Sequence, residues 1–109
     1  MPCDVTDESA AQAAVATCLE HFGGIDVLVN CAGIAGYPLE THTTDDALWA
    51  ELIDTNLTAP FRMIRAVLPA MMLARTGAIV NVASVAGLVG MPRMAAYGVS
   101  FTELADALE

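Results

Sequence analysis

Residues 77 to 100 read Gly77-Ala78-Ile79-Val80-Asn81-Val82-Ala83-Ser84-Val85-Ala86-Gly87-Leu88-Val89-Gly90-Met91-Pro92-Arg93-Met94-Ala95-Ala96-Tyr97-Gly98-Val99-Ser100. Ala78 to Ala83 is β-branched and nearly continuously apolar, the pattern of a strand buried on both faces of a parallel sheet. Gly77 opens this strand and Ser84 falls at its carboxyl end. In open α/β sheets, ligands bind outside the carboxyl ends of the strands, so the Ser84 hydroxyl is placed where a crevice is expected. Pro92 closes the following loop, Met94 to Ser100 starts a helix, and Tyr97 lies in or near its first turn, within reach of Ser84.

Upstream, the pattern repeats. Met1 to Cys3 reads as the end of a strand, and Thr6 as the N-cap of a helix that runs to about Phe22, with Asp7 and Glu8 in its first turn. Ala10, Ala13, Ala14, Cys18 and Phe22 give that helix an apolar face, and Gly23-Gly24 ends it. Ile25 to Asn30 is a second buried strand, followed by a Gly-, Pro- and Thr-rich loop over 31–44. Thr43 or Thr44 caps a long helix that passes through Trp49, Leu52, Ile53 and Leu57 toward Met72, bent at Pro60 and Pro69. The last helix spans about Met94 to Leu108, with Phe101, Leu104, Ala105 and Leu108 on one face. Helices crossing over between parallel strands define a doubly wound α/β fold, expected here without its N-terminal βαβ unit.

Composition sets bounds. The chain has 109 residues, at most one small domain, and 56% of them are apolar, more surface than so short a chain can hide. The surplus suits a piece of a larger sheet. Thirteen acidic residues against four arginines and no lysine give a net charge of −9, which disfavours nucleic acid and anionic membrane as partners. Cys3, Cys18 and Cys31 lack a Cys-x-x-Cys pair, and His21 and His42 lack ligand spacing, so reduced thiols and no metal site are expected. With no uninterrupted apolar stretch of about 18 residues and nothing like a signal peptide, the expectation is a cytoplasmic chain.

These residues together resemble the short-chain dehydrogenase/reductase family, whose site uses a serine and, thirteen positions later, the tyrosine of Tyr-x-x-x-Lys; here 97 − 84 = 13. Asn30-Cys31-Ala32-Gly33 is similar to the family's Asn-Asn-Ala-Gly, Asn56 to the asparagine of its next long helix, and Asp4 to a residue that contacts the cofactor's adenine. The resemblance implies that residues 1–109 are the central portion of one NAD(P)-binding Rossmann-like domain. It implies an oxidoreductase that moves a hydride between NAD or NADP and a ketone or secondary alcohol. Tyr97 would be the acid/base, Ser84 would hydrogen-bond the substrate oxygen and Asn56 would hold a water of a proton path. Asp4, Asn30, Ala32 and Gly33 would support the cofactor. Ile34, Leu39, Leu88, Val89, Met91 and Met94 suit an apolar carbonyl substrate. The family also implies a homo-oligomer built through the two long helices.

Two departures from the family pattern are visible. A free phenol ionises near pH ~10, so the family's lysine, one turn after the tyrosine, supplies the charge that makes proton transfer efficient; here that position is Phe101. Phe101-Thr102-Glu103-Leu104-Ala105 is similar to a segment that follows the family's lysine by several residues, which points to a loss of about six residues after Ser100, roughly 600° of helix. The glycine-rich phosphate-binding turn also has no counterpart. The departures set the rival expectation of an inactive truncated remnant with only a structural or oligomerising role.

Overall fold

The structure, a computed structural model, describes residues 1–107. Its elements are α1 (Glu8–Phe22), β1 (Val27–Asn30), α2 (Asp46–Ile53), α3 (Ala59–Ala74), β2 (Ala78–Asn81) and α4 (Ala95–Ala107), with 3₁₀ turns at Thr41–Thr43 and Val85–Gly87. β1 and β2 pair in parallel, with Val27 opposite Ala78 and Asn30 opposite Asn81. Parallel neighbours need a long crossover, and α2 and α3 supply it. This is part of a doubly wound α/β fold, as the sequence predicts.

The helix starts differ from the sequence reading for a local reason. Thr6 does not cap α1: its backbone N–H and hydroxyl both donate to Asp4 Oδ1, at 2.9 and 2.7 Å. Asp7 is the cap, accepting from the N–H groups of Ser9 and Ala10 at 2.8 and 3.3 Å. Asp45, not Thr43 or Thr44, caps α2 by accepting from Leu48 N–H at 2.7 Å, because the threonines are spent on Glu40 O in the 3₁₀ turn. A carboxylate is the stronger acceptor for orphan amides at a helix start. Met1 to Cys3 has no regular structure. Leu108, where the sequence places the end of the last helix, and the side chains of Leu104 and Ala105 lie outside the described residues.

α2 and α3 form one helix of 29 residues, Asp46–Ala74, joined by a π-turn at Asp54–Thr58, a local break of the α pattern just before Pro60. Pro60 has no N–H to give to the carbonyl four residues back, and Ala59 N–H reaches Asp54 O instead. Pro69 sits inside α3 without ending it. By length and composition the joined helix is long and apolar enough to cross a bilayer. Within this fold its Arg62 donates to Asp54 Oδ1 at 2.7 Å and to Thr6 O at 3.2 Å, and Arg65 pairs with Glu8. These contacts fasten α3 to the start of α1.

The core lies on one side of the sheet, where Val15, Val67 and Met71 pack with Leu19, Leu28, Met63 and Ile79. Gly77, at φ +151°, lets the chain pass under Met71, since an added Cβ would lie 2.7 Å from the Met71 Cγ and Sδ atoms. The expectation of strands buried on both faces is not met: Val27, Val29 and Val80 are 56%, 55% and 48% exposed. Helices cover a single face, so alternate valines point away from them. The result is a slab of 48 × 24 × 16 Å whose 15.3 Å radius of gyration exceeds the about 13 Å of a closed domain of this length.

Two outcomes follow from these contacts. The bare valine face should bind a hydrophobic dye and drive association, and Val29→Thr with Val80→Thr should reduce both in dye titration and light scattering; dye binding unchanged in the double variant would place the sticky surface elsewhere. The hydrogen bond from the Ser9 side chain, then the Ala10 and Ser9 amides, hold the Asp7 carboxyl below its ordinary range. A depressed carboxylate contributes stability that is fully present above its unfolded pKa and lost as pH falls through its folded one. Asp7→Asn keeps a cap acceptor, so helicity followed by circular dichroism should match the parent near neutrality and fall less steeply below about pH 4.

Candidate active site

The carboxyl ends of β1 and β2, the π-turn and the start of α4 meet at one edge of the slab. The π-turn turns Asn56 inward until it is 1% exposed. Its Oδ1 accepts from Ile34 N–H at 2.9 Å, and its Nδ2 donates to Ile34 O at 2.8 Å and to Ser100 Oγ at 3.1 Å. Ser100, with no exposed surface, donates in turn to Tyr97 O at 2.8 Å. One buried amide therefore ties the loop after β1 to the helix that carries the tyrosine.

Ser84 lies three residues past the end of β2 and caps the 3₁₀ turn, its Oγ accepting from Ala86 N–H at 3.2 Å. α4 packs directly on that turn. A Cβ added to Gly87 would stand 2.9 Å from the Phe101 carbonyl carbon and 3.1 Å from Thr102 N, and Thr102 Oγ1 donates to Gly87 O at 3.1 Å. Only glycine leaves room for helix backbone at that distance. Tyr97 lies in the first turn of α4 and lines a narrow crevice with Ala35, Tyr37, Leu39, Leu48 and Arg93.

Phe101 is 6% exposed and stands one turn beyond Tyr97, the two rings edge to face with centroids 4.8 Å apart. A Cβ on Gly33 would lie 3.2 Å from Asn56 Oδ1 and 3.6 Å from Phe101 Cζ. Gly33, Asn56, Tyr97 and Phe101 thus form one packed group. The other sequence-selected residues sit apart from it. Asn30, with Ala32, lines a crevice between Val5, Leu28 and Pro60, and its Nδ2 donates to Asn81 Oδ1 at 2.9 Å. Asp4 borders a shallow recess with Thr6, Ile34 and Asp54, and its hydrogen bonds from the Thr6 hydroxyl and amide lower its pKa.

Three residues were not selected by sequence reasoning. Ser100 bears the signal of a helical serine three positions after the tyrosine, able to bond back to that carbonyl. Asn81 shares with Asn30 the last position of its strand, and parallel pairing brings such positions side by side. Gly87 lies three residues after Ser84, but the close approach that requires it comes from a helix distant in sequence.

Comparison with known proteins assigns the class. A family model described as short chain dehydrogenase matches residues 1–102. The chain is 49% identical over 94 residues to an inactive 2-(S)-hydroxypropyl-CoM dehydrogenase of Xanthobacter autotrophicus, an alignment covering 86% of this chain and 40% of that protein. It is 39% identical over 97 residues to a 3-oxoacyl-acyl-carrier-protein reductase of Vibrio cholerae, covering 89% of this chain and 39% of that one. Among solved structures, an NAD⁺-bound xylitol dehydrogenase superposes with a TM-score of 0.91 at 39% identity over 97% of this chain and 40% of that chain. The chain belongs to the short-chain dehydrogenase family and spans about two fifths of the length of the relatives it matches.

The residues present fit a dinucleotide only in part. The Asn30 and Ala32 crevice is open at the strand ends, whereas beside Tyr97 the space next to Gly33 is filled by the Phe101 ring and the sequence holds no lysine. Asn56→Ala would leave the Ile34 amide and carbonyl and the Ser100 hydroxyl without their partner, a loss of about 2–3 kcal/mol in urea unfolding. Asn56→Asp would bury a carboxylate against the Ile34 carbonyl and lose both donated bonds, so near neutrality it should cost at least as much as the alanine variant, and less where the carboxyl is protonated.

Proposed function

We propose that this chain is the carbonyl-binding and proton-transferring portion of an NAD(P)-dependent short-chain dehydrogenase/reductase that interconverts a ketone and a secondary alcohol. The observation that carries the reading is the fold-back of residues 84–97. The close approach of α4 to Gly87 packs the helix that begins near Tyr97 against the 3₁₀ turn that Ser84 caps, which supports reading the two residues as parts of one site. The thirteen-residue spacing runs from the cap of the 3₁₀ turn through that turn and a loop to the first turn of α4.

In this reading the Tyr97 hydroxyl gives its proton to the carbonyl oxygen as that oxygen gains negative charge, and takes it back in alcohol oxidation. Ser84 leaves Ala86 N–H and donates to the same oxygen, which lowers the cost of the charge in a site shielded from water. The nicotinamide of the complete enzyme supplies or receives the hydride. Asn56 acts by position: its amide bonds to Ile34 and Ser100 hold the cofactor-side loop and the tyrosine helix in fixed relation. Asn30, Ala32 and Gly33 would face the cofactor, Asp4 its adenine end. Leu88, Val89, Met91 and Met94, which line an apolar groove along α4, would receive an apolar substrate.

A second reading, an inactive remnant, is favoured by Phe101. Its ring packs on Tyr97 where the family places a cation, and one relative is itself named an inactive dehydrogenase. The two readings part in a full-length chimera in which residues 1–100 replace the matching part of an active family reductase, followed either by Phe101→Lys alone or by a lysine-led insertion of about six residues. NAD(P)H oxidation with a panel of ketones should appear in the insertion chimera, vanish with Tyr97→Phe, and remain absent in the point variant. A silent insertion chimera that folds and binds cofactor would establish the remnant reading. The 109-residue chain alone should bind NADH negligibly in fluorescence titration, and saturable micromolar binding would contradict that.

A further inference from the structure

We infer that Ser100 is a positioning residue for Tyr97: its buried hydroxyl, bonded between the Asn56 amide and the Tyr97 carbonyl, fixes the turn of α4 from which the tyrosine ring projects. The inference rests on the reading of Tyr97 as the acid/base of the site and adds to it what holds that side chain in place.

Ser100 has no exposed surface, and a hydroxyl taken out of water needs partners. It accepts from Asn56 Nδ2 at 3.1 Å and donates its one proton to Tyr97 O at 2.8 Å. Alanine fills a helix position at lower conformational cost than serine, so helix propensity gives no reason for a hydroxyl at this sealed position. Its bonds do. A helical serine that bonds back to the carbonyl three residues earlier competes with the helix ladder for that carbonyl and bends the turn locally. Here the carbonyl belongs to Tyr97, and the serine that draws on it is itself held by an asparagine 1% exposed.

Two fixed points follow the tyrosine within one turn. At Gly98, α4 lies close against the 3₁₀ turn that Ser84 caps, since an added Cβ would stand 3.2 Å from Ala86 O. At Ser100, the helix is tied to Asn56, whose remaining bonds go to the backbone of Ile34. The first point is a matter of shape and the second of hydrogen bonds. Shape sets how near the helix comes to the turn, and the directed bonds set its rotation about its own axis. The Tyr97 ring meets the Phe101 ring edge to face with centroids 4.8 Å apart, so a change in the tilt of this turn moves one ring over the other and is read as a ring-current shift.

The test follows the Tyr97 ring resonances and the Ile34 amide by NMR in the 109-residue chain. Ser100→Ala, a change that helix propensity favours, should displace the Tyr97 ring resonances and speed hydrogen exchange at the Ile34 amide about fivefold, because Asn56 loses one of its three anchors. Asn56→Ala should displace the same resonances, and adding Ser100→Ala to it should change them little further, since both remove one bond. Val67→Ala, which destabilises the chain through a cavity in the core, separates positioning from general loosening and should leave the Tyr97 ring where it is. If Asn56→Ala does not fold, Ser100→Ala and Val67→Ala decide the matter alone. Unmoved Tyr97 resonances in Ser100→Ala, an equal displacement in Val67→Ala, or full additivity of the Ser100 and Asn56 changes would each overturn the inference. Because no turnover is measured, failure here leaves ketone reduction by the chimera standing, and a silent chimera leaves the placing of Tyr97 by Ser100 standing.

Discussion

The carboxamide of Asn56 is the constraint on which the site depends. It makes three hydrogen bonds inside the protein, and two of them close a ring with the backbone of Ile34 in the manner of a strand pair. The loop over 31–44 has no sheet of its own to satisfy its first polar groups, and a buried unpaired amide costs as much as a lost hydrogen bond. Asn56 removes that cost and passes its remaining N–H to Ser100. Among the described residues no buried side-chain nitrogen or oxygen is left without a partner, so this small polar network is complete and rigid.

What aims Asn56 is a proline. Pro60 cannot donate to the helix ladder, the helix widens into a π-turn at Asp54–Thr58, and the phase of the residues around position 56 shifts with respect to those of α3. A π-turn inside an α-helix carries one extra residue and is favoured where a side chain must be re-aimed. The same helix holds Val67 and Met71 in the core and Arg62 and Arg65 against the start of α1. Packing on one end and the asparagine on the other are therefore carried by one continuous helix, and the chain around the site inherits its position from the core.

The element order, both strands and the long helix were legible because apolar periodicity and glycine boundaries are local signals. The spacing of Ser84 and Tyr97, on which the family resemblance rests, is likewise a local feature of the sequence. The apolar runs record the burial a complete sheet would give both faces, and the surplus of apolar residues already pointed to lost cover: in this chain α1 and α3 cover only one side of Val27, Val29 and Val80. The π-turn form of the break before Pro60, the caps at Asp7 and Asp45, and the contact of Gly87 with α4 were not legible, since each is settled by competition between hydrogen-bond partners or by residues far apart in sequence. Ser100 belongs with them: nothing local distinguishes it from a surface serine until Asn56 arrives from forty-four positions away.

Position 101 shows how backbone and side chain divide the work at this site. The backbone of Phe101 and Thr102 lies against Gly87 at 2.9 to 3.1 Å from where a Cβ would sit, so the path of α4 is set by contacts that do not involve the ring. The ring itself fills the space bounded by Tyr97, Gly33 and Asn56. A change of side chain there leaves the helix path, and with it the placing of Tyr97 and Ser100, in place. It also opens a volume lined by the Asn56 amide, which is polar, and by the Tyr97 ring, which is not. An aromatic ring satisfies the second and ignores the first, whereas a long side chain ending in an ammonium can lie along the ring and present its charge to polar neighbours. The path of the helix that carries Tyr97 is thus set independently of the ring at position 101.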